Sequence, residues 1–345
     1  MKKYTGTKDI ARLANVSRTT VSFVLNNRTD MKISEATRKK VLNIAKELDY
    51  YPHAIATSLV KKKTRTIGLI LCQELGSIFS DALIPQVLLG VSTVALKEDY
   101  KILLQYIENF EKKGTYYQLV REKRIDGVIL SGPRSDDEEL LRLKDEDFPI
   151  VLMGQIEKDN FSCSDIDNVK AAKEIVSHLI SHGHKRIAII TNAPLNYTAS
   201  KFRLLGYKKA LQENSIDYDK ELIGIGNFTP QSGFEVMQKL LSLKKLPTAV
   251  FVASDVVAFG AMDAIRKKGM KIPQDIALAG FDNVNLSKYV DPPLTTVNLP
   301  GFDIGKNVAS LLIDIIENNN NDNKNKKIIL ETHMVIRKSC GCDQI

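Results

Sequence analysis

From Thr66 onward, short apolar runs and amphipathic stretches take turns, and that alternation leaves few folds open. The runs TIGLILC (66–72), KILLQY (101–106), DGVIL (126–130) and PIVLM (149–153) have the unbroken apolar character of strands covered on both faces. Helical spacing fills the intervals near 84–98, 115–124 and 137–144. The pattern resumes with RIAIIT (186–191), TAVFVAS (248–254) and DIALAG (275–280), around helices near 168–182, 199–213, 231–243 and 256–268. Strands separated in this way predict parallel sheets wound by right-handed crossovers. Two sets of about a hundred residues each predict two α/β lobes with a cleft between them. Open parallel sheets take ligands beyond the carboxyl ends of their strands, so the residues just after each strand are the ones to inspect.

The first part of the chain follows a different rule. Residues 7–26, TKDIARLANVSRTTVSFVLN, read as two short helices around a tight turn. Ile10, Ala11, Leu13 and Ala14 make an apolar stripe on the first helix. Ser17 caps the second, where Val21, Val24 and Leu25 recur at i, i+3 and i+4. Arg18, Thr19, Ser22, Phe23 and Asn26 are left facing outward, and four of these are small or polar enough to reach base edges or phosphates in a major groove. Thr7, Ser17 and Thr20 complete the candidate DNA-contacting set on these helices. A plain surface hairpin would show the same stripe, so charge must decide. Residues 1–65 hold 15 lysines and arginines against 5 acidic residues, whereas residues 66–345 hold 34 against 36. The positive excess therefore sits wholly beside the helical pair, as expected of a module that docks on phosphates. A third helix is predicted from about Ser34 to Leu48, capped by Ser34, with Val41, Leu42, Ile44, Ala45 and Leu48 on its buried side.

YYPHAIATSLVKKKTR (50–65) then forms the connection. Pro52 suits a first helical turn, and Ala54, Ile55, Ala56 and Leu59 make one short helix, too brief to hold alone in water. Such a segment reads as a hinge that orders on DNA, with Leu59 available to wedge between base steps in the minor groove. An ordinary linker is the alternative. His53, just before it, is a candidate phosphate contact.

Other classes of function find little support. No apolar run approaches the ~18 residues needed to span a bilayer. The start, Met-Lys-Lys-Tyr, passes at once into polar residues rather than an export signal, so a cytoplasmic protein with reduced thiols and no membrane partner is expected. The four cysteines, Cys72, Cys163, Cys340 and Cys342, show no framework spacing, and the CxC of the last pair reads as incidental. GFDIGKN (301–307) imitates a phosphate loop, but it has three residues between its glycines, and Asn307 stands where Ser or Thr should ligate magnesium. His178, His182 and His184 cluster as HLISHGH, yet no nearby Cys or Glu in the sequence completes a ligand set. No Ser-His-Asp or paired-carboxylate arrangement stands out, so neither catalysis nor a cofactor or metal is expected. NNNNDNKNKK (318–327) is a polar low-complexity linker before a final strand.

Taken together, the chain resembles the lactose-repressor (LacI/GalR) family of bacterial transcription regulators over nearly its whole length. The helix-turn-helix from Thr7 to Asn26, the hinge-like YPHAIATSL, FRLLGYKKAL (202–211), the long match VASDVVAFGAMDAIRKKGMKIPQDIALAGFDN (252–283) and DPPLTTV (291–297) occur in the family's order. The resemblance implies an all-α helix-turn-helix domain (1–50), a hinge helix and linker (51–65) and a two-lobed periplasmic-binding-protein-like core of doubly wound parallel sheets. It implies that the chain crosses between lobes three times, with 66–163 and 298–324 in the first and 164–297 and 325–340 in the second. It also implies a homodimer, or a tetramer, on a pseudo-palindromic DNA operator, with a small-molecule effector, a sugar or sugar derivative, in the cleft.

On the second lobe the implied effector contacts are Arg203, Asp282, Phe228, Ser254, Asp255 and Asp167. Arg203 offers a rigid fork of donors, and Asp282 follows strand 275–280, where it can accept from vicinal hydroxyls. Phe228 corresponds to an aromatic that covers the ligand, or is plain core; Asp255 is a ligand contact or a helix cap. On the first lobe the loop after the first strand is longer than usual, and Phe79 and Asp81 compete for one place. The link after Asn26 is also longer, and Phe23 stands where many relatives carry Arg or His. A ring there touches a thymine methyl or folds onto its own core. A sugar-binding transport or sensory protein would share the core but not the basic head. Control by a partner protein in place of a small molecule stays open at this point.

Overall fold

The computed structural model describes residues 6–26, 28, 31–50, 63–72, 83–107, 116–157, 160–318 and 325–342. Contacts divide the chain into two units, with the break between Arg65 and Thr66. His53, Ala56, Leu59, Phe79 and Asp81 lie outside the described residues.

The amino-terminal unit contains helices α1 (Thr7–Ala14), α2 (Arg18–Leu25) and α3 (Glu35–Glu47). Each start is fixed by local chemistry. Asp9 accepts from the Gly6 amide (3.1 Å), Ser17 Oγ from the Thr20 amide (3.0 Å) and Ser34 Oγ from the Thr37 amide (3.2 Å). The turn between α1 and α2 runs through Asn15 at φ +55°, a left-handed position that Asn tolerates. Ile10, Ala11, Ala14, Val21, Val24, Val41 and Ala45 form the core. Leu13 and Leu42 do not join it: they are 50% and 46% exposed, contrary to the sequence expectation. A helix turns 100° per residue, so Leu13 falls beyond the arc that Ile10, Ala11 and Ala14 share, and Leu42 beyond that of Val41 and Ala45. Two short neighbours cover only a narrow arc.

The second unit contains a six-stranded parallel sheet in the order β11-β5-β4-β3-β1-β2, formed by β1 (Thr66–Leu71), β2 (Lys101–Tyr106), β3 (Gly127–Ser131), β4 (Ile150–Met153), β5 (Ser162–Ile166) and β11 (Lys327–Leu330). A second parallel sheet, in the order β7-β6-β8-β9, uses β6 (Ile187–Ile190), β7 (Ile223–Gly224), β8 (Ala249–Val252) and β9 (Ala277–Ala279). The short antiparallel pair β10 (Thr296–Val297) and β12 (Met334–Val335) lies where the chain changes lobe. The first lobe carries α4 (Ile84–Lys97), α5 (Tyr117–Arg121), α6 (Glu138–Asp145) and α11 (Gly301–Asn318). The second carries α7 (Asn168–Ser181), α8 (Thr198–Glu213), α9 (Pro230–Leu240) and α10 (Asp255–Lys267).

Strand pairing moves two of the expected lobe boundaries. Ser162–Ile166 pairs with β4 on one side and β11 on the other, so the first lobe runs on to Ile166 and Lys327–Leu330 returns to it. The boundary at 163/164 and the placement of all of 325–340 in the second lobe are therefore corrected. β5 hides from an apolar-run search because SCSDI is polar, yet every residue of it is buried. α11 was not anticipated as a helix either; it covers β3, β4 and β5 and packs along α4.

Candidate functional site

The cleft between the lobes is lined from the carboxyl ends of the strands, as parallel-sheet geometry requires. Ser131 ends β3, Met153 ends β4 and Asp165 lies near the end of β5. Asn192, Phe228, Ser254 and Asp282 follow β6, β7, β8 and β9. The space these residues enclose amounts to about 100 Å³.

Arg203 and Asp282 face each other here. Both are almost wholly buried, and Arg203 Nη1 lies 3.6 Å from Asp282 Oδ1. The guanidinium is fixed from several sides. Its carbon sits 3.8 Å from the centroid of the Phe281 ring, Nε donates to Asn168 Oδ1 (2.9 Å), and Nη1 donates to the Ala253 carbonyl (2.6 Å). Asp282 adopts φ +109° and donates its amide to the Val297 carbonyl (2.9 Å), which aims the carboxylate from the strand end. Asn168 in turn donates to Asp165 Oδ2 (3.0 Å), which also accepts from Gln155 Nε2 (3.1 Å). Burial pushes the Asp165 carboxyl above its ordinary range, and these donors pull it back toward the ionised form. A continuous polar chain, Asp165–Asn168–Arg203–Asp282, thus joins the first crossing between lobes to the end of β9.

An aromatic pair lines the same cleft. Phe228, at φ +58°, meets Tyr197 edge to face with ring centroids 5.1 Å apart. Tyr197 also ties the lobes together, its hydroxyl donating to the Cys72 carbonyl (2.7 Å). Thr198 donates its amide to the Pro133 carbonyl (3.2 Å), Ser135 its amide to the Asn196 carbonyl (2.9 Å), and Lys201 pairs with Glu157 (2.6 Å). These bonds cross the cleft mouth, so the lobes are closed on each other. A buried guanidinium–carboxylate pair, amide and hydroxyl groups and an aromatic face together suit a small polar ligand.

Two expected contacts are absent from the lining. Asp255 is fully buried behind the site. Its carboxylate accepts from Ser287 Oγ (2.5 Å), Thr296 Oγ1 (2.6 Å) and the Val284 amide (3.0 Å), which locks the β9–β10 connection to α10. It is neither ligand contact nor cap, because it is the first residue of α10 and Ser254 precedes it as the cap position. Asp167 caps α7, accepting from the Lys170 amide (2.9 Å), and is exposed. Asp165, two residues earlier and still on β5, lines the cleft in its place, because Asp167 lies past the strand end, where its side chain turns back to cap α7. Asn168, Asn192, Tyr197 and Thr198 also line it and were not singled out from sequence. A polar residue immediately after an apolar strand was the available signal for Asn192.

In the amino-terminal unit, Ser17, Arg18 and Thr19 are exposed at the start of α2, where the helix dipole favours an anion. Thr7 and Thr20 are half-buried. Ser22, Phe23 and Asn26 are half-buried too, and their contacts are internal. Asn26 Nδ2 donates to the Ser22 carbonyl (2.9 Å), and the Arg28 guanidinium lies 5.7 Å from the centroid of the Phe23 ring. Phe23 thus carries a cation above its ring.

A basic helix-turn-helix unit followed by two parallel-sheet lobes around a strand-end cleft defines a DNA-binding regulator built on a periplasmic-binding-protein-like core. Residues 7–53 match the family described as bacterial regulatory proteins, lacI family, and residues 176–340 match the periplasmic binding protein-like domain. The chain is 36% identical to the HTH-type transcriptional repressor PurR of Vibrio atlanticus (strain LGP32), over 94% of this chain and 95% of the relative. Among solved structures it is similar to a complex of the transcriptional regulator CelR with cellobiose, with a TM-score of 0.74, 30% identity, and coverage of 97% and 99% of the two chains. It is likewise similar to the lac repressor dimer bound to operator and the anti-inducer ONPF, with a TM-score of 0.83, 25% identity, and coverage of 98% and 99%. The chain belongs to the lacI family of bacterial transcription regulators, and it is not an enzyme. Among the described residues no helix is long and apolar enough to cross a membrane.

Proposed function

We propose that the chain is a cytoplasmic, homodimeric repressor whose affinity for a pseudo-palindromic operator is set by a small polyhydroxylated effector, a sugar or sugar derivative, held between the two lobes. The observation that carries this reading is the buried Arg203–Asp282 pair in a cleft that the Phe228–Tyr197 aromatic pair also lines. A fixed guanidinium edge and a carboxylate present donor and acceptor side by side, the pattern that vicinal hydroxyls satisfy. An aromatic face covers the apolar side of a sugar ring. The cellobiose bound to the similar regulator supports the same class.

Ser254 contributes a further hydroxyl, and Phe79 or Asp81 is assigned to the first-lobe side by resemblance. On the operator, Arg18 and Thr19 read bases, while Thr7, Ser17 and Thr20 meet phosphates. Leu59, Ala56 and His53 are assigned to the hinge contact by resemblance. Ser22, Phe23 and Asn26 approach the groove with their present internal bonds intact.

The effector acts by binding one lobe arrangement better than another, and it shifts the operator equilibrium only by that difference. The test is a thermal-shift screen against mono- and disaccharides, sugar phosphates, nucleosides and nucleobases, followed by operator binding with each hit. Stabilisation by a sugar that also changes operator affinity is the expected result. Stabilisation by a nucleobase alone would assign the aromatic corner to base stacking and overturn the carbohydrate reading.

A further inference from the structure

The segment Arg337–Cys342 is docked firmly on the second lobe, away from the cleft. Ser339 Oγ donates to the Leu278 carbonyl (2.6 Å) and accepts from the Thr295 amide (2.8 Å), and the Arg337 amide donates to Thr295 Oγ1 (2.8 Å). Lys338–Cys340 is a single 3-10 turn closed by Gly341 at φ +81°. That left-handed glycine folds the CxC back on itself, so that Cys340 Sγ and Cys342 Sγ stand 2.9 Å apart.

The last turn of α7 supplies a third group, His178 Nε2, at 3.1 Å from Cys342 Sγ. All three atoms lie within 4.8 Å of one another. The histidine cluster itself does not assemble around an ion. His184 Nδ1 is spent on Thr248 Oγ1 (3.1 Å) and His182 Nδ1 on the His178 carbonyl (2.8 Å). The missing ligands come from the opposite end of the core sequence, which is why local spacing could not reveal them.

We propose that His178, Cys340 and Cys342 bind one Zn²⁺ ion per chain. Two sulfurs and an imidazole nitrogen are the donors that a borderline-soft d¹⁰ cation selects over calcium or magnesium. Tetrahedral zinc with bonds of about 2.3 Å to sulfur and about 2.0–2.1 Å to nitrogen sets ligand separations of roughly 3.8 Å (S···S) and 3.6 Å (S···N). The Cys340–Cys342 and Cys342–His178 spacings open to those values by less than about 1 Å, and the third, already within 4.8 Å, changes by little more than about 1 Å, shifts within reach of the half-exposed Cys342 beside Gly341. The buried partner, Cys340, is already held in place: Thr295 Oγ1 lies 3.1 Å from its sulfur. Three protein ligands leave a fourth position for water, on the side where His178 and Cys342 are partly exposed. The ion staples the docked 337–342 segment to α7, and so couples β9 and β10 to that helix.

The test uses the untagged full-length protein, reduced and stripped with chelator, and titrated with Zn²⁺ by calorimetry and with Co²⁺ by absorbance. We expect one equivalent of either metal, the sulfur-to-cobalt charge-transfer band in the near ultraviolet, and a rise in Tm on adding zinc. Cys342→Ser and His178→Gln, both at half-exposed positions that leave the core intact, should each weaken zinc binding at least tenfold and abolish the Tm rise. Cys163→Ala, at a buried thiol elsewhere, should leave both unchanged. Failure of the reduced protein to take up metal, or uptake equal in the two ligand variants, overturns the site. So does isolation of a Cys340–Cys342 disulfide whose reduction restores no zinc binding.

Discussion

Two acidic side chains with opposite fates show what burial does to a carboxylate. Asp282 lies beside the Arg203 guanidinium, whereas the Asp255 carboxylate accepts its hydrogen bonds only from hydroxyls and an amide. Burial accordingly pushes the Asp255 carboxyl up to about 6 despite those donors. Its proton is held more tightly in the folded chain than in the unfolded one, so folding is favoured at low pH and this contribution is lost as pH rises from about 4 through about 6. The difference amounts to about 3 kcal/mol. Urea unfolding followed between pH 4 and pH 7 should show this decline in the parent chain, and Asp255→Asn should flatten it whatever its absolute stability. An unchanged slope would mean that other groups dominate. For the effector pair, Arg203→Lys removes the fork while keeping the charge. We expect a loss of effector response of at least tenfold with operator affinity in the absence of effector within about threefold, measured by gel retardation. Retained response would take the guanidinium out of the site. From sequence, Arg203 and Asp282 are the effector pair expected from the motifs FRLLGYKKAL and VASDVVAFGAMDAIRKKGMKIPQDIALAGFDN, whereas Asp255, in the second of these, reads equally as a helix cap or a ligand contact; packing makes it neither.

At the scale of elements, legibility followed hydrophobicity. The strands β1 to β4, β6, β8 and β9 are short apolar runs and were visible to within a residue or two. β5 was not, because its buried positions are filled by serine, cysteine and aspartate, whose side chains bond to Gln155, Asn168 and the Lys326 amide. Helix starts were legible where a serine caps them. Removing one cap, Ser17→Ala, should cost about 1 kcal/mol in the amino-terminal unit and lower its melting temperature. Helix pairing is set by glycine, which no periodicity reveals. α9 and α10 approach so closely that a Cβ on Gly260 would stand 1.7 Å from the Pro230 carbonyl oxygen, and one on Gly233 would stand 2.0 Å from that of Val257. Backbone cannot retreat as a side chain does. Gly260→Ala should therefore destabilise the core by at least about 3 kcal/mol, against a surface alanine substitution that costs almost nothing, as read by chemical denaturation.

For the whole molecule, the segregation of charge matters most. The basic excess lies in residues 1–65 and the rest is nearly neutral, so the salt dependence of operator binding belongs to the amino-terminal unit. Arg18→Ala should lower affinity. If Arg18 meets a phosphate, the slope of log K against log salt falls by about one; if it reads a base, specificity relaxes by about 1–3 kcal/mol and the slope stays. Binding titrations at several salt concentrations distinguish the two. By linkage, operator DNA must change effector affinity by the same factor as effector changes operator affinity.

The three places where the chain passes between lobes lie side by side. Asn298 donates its amide to the His333 carbonyl (2.9 Å), Leu299 its amide to the Asp282 carbonyl (3.2 Å), and Asn168 reaches back to Asp165. The proposed effector pair therefore sits beside an axle, not at the end of a jaw. A rotation of a few degrees there moves nearby atoms by tenths of an ångström and the far rims of the lobes by several times as much, in proportion to radius. A ligand that adjusts only the register of a few hydrogen bonds can thus drive a displacement much larger than itself.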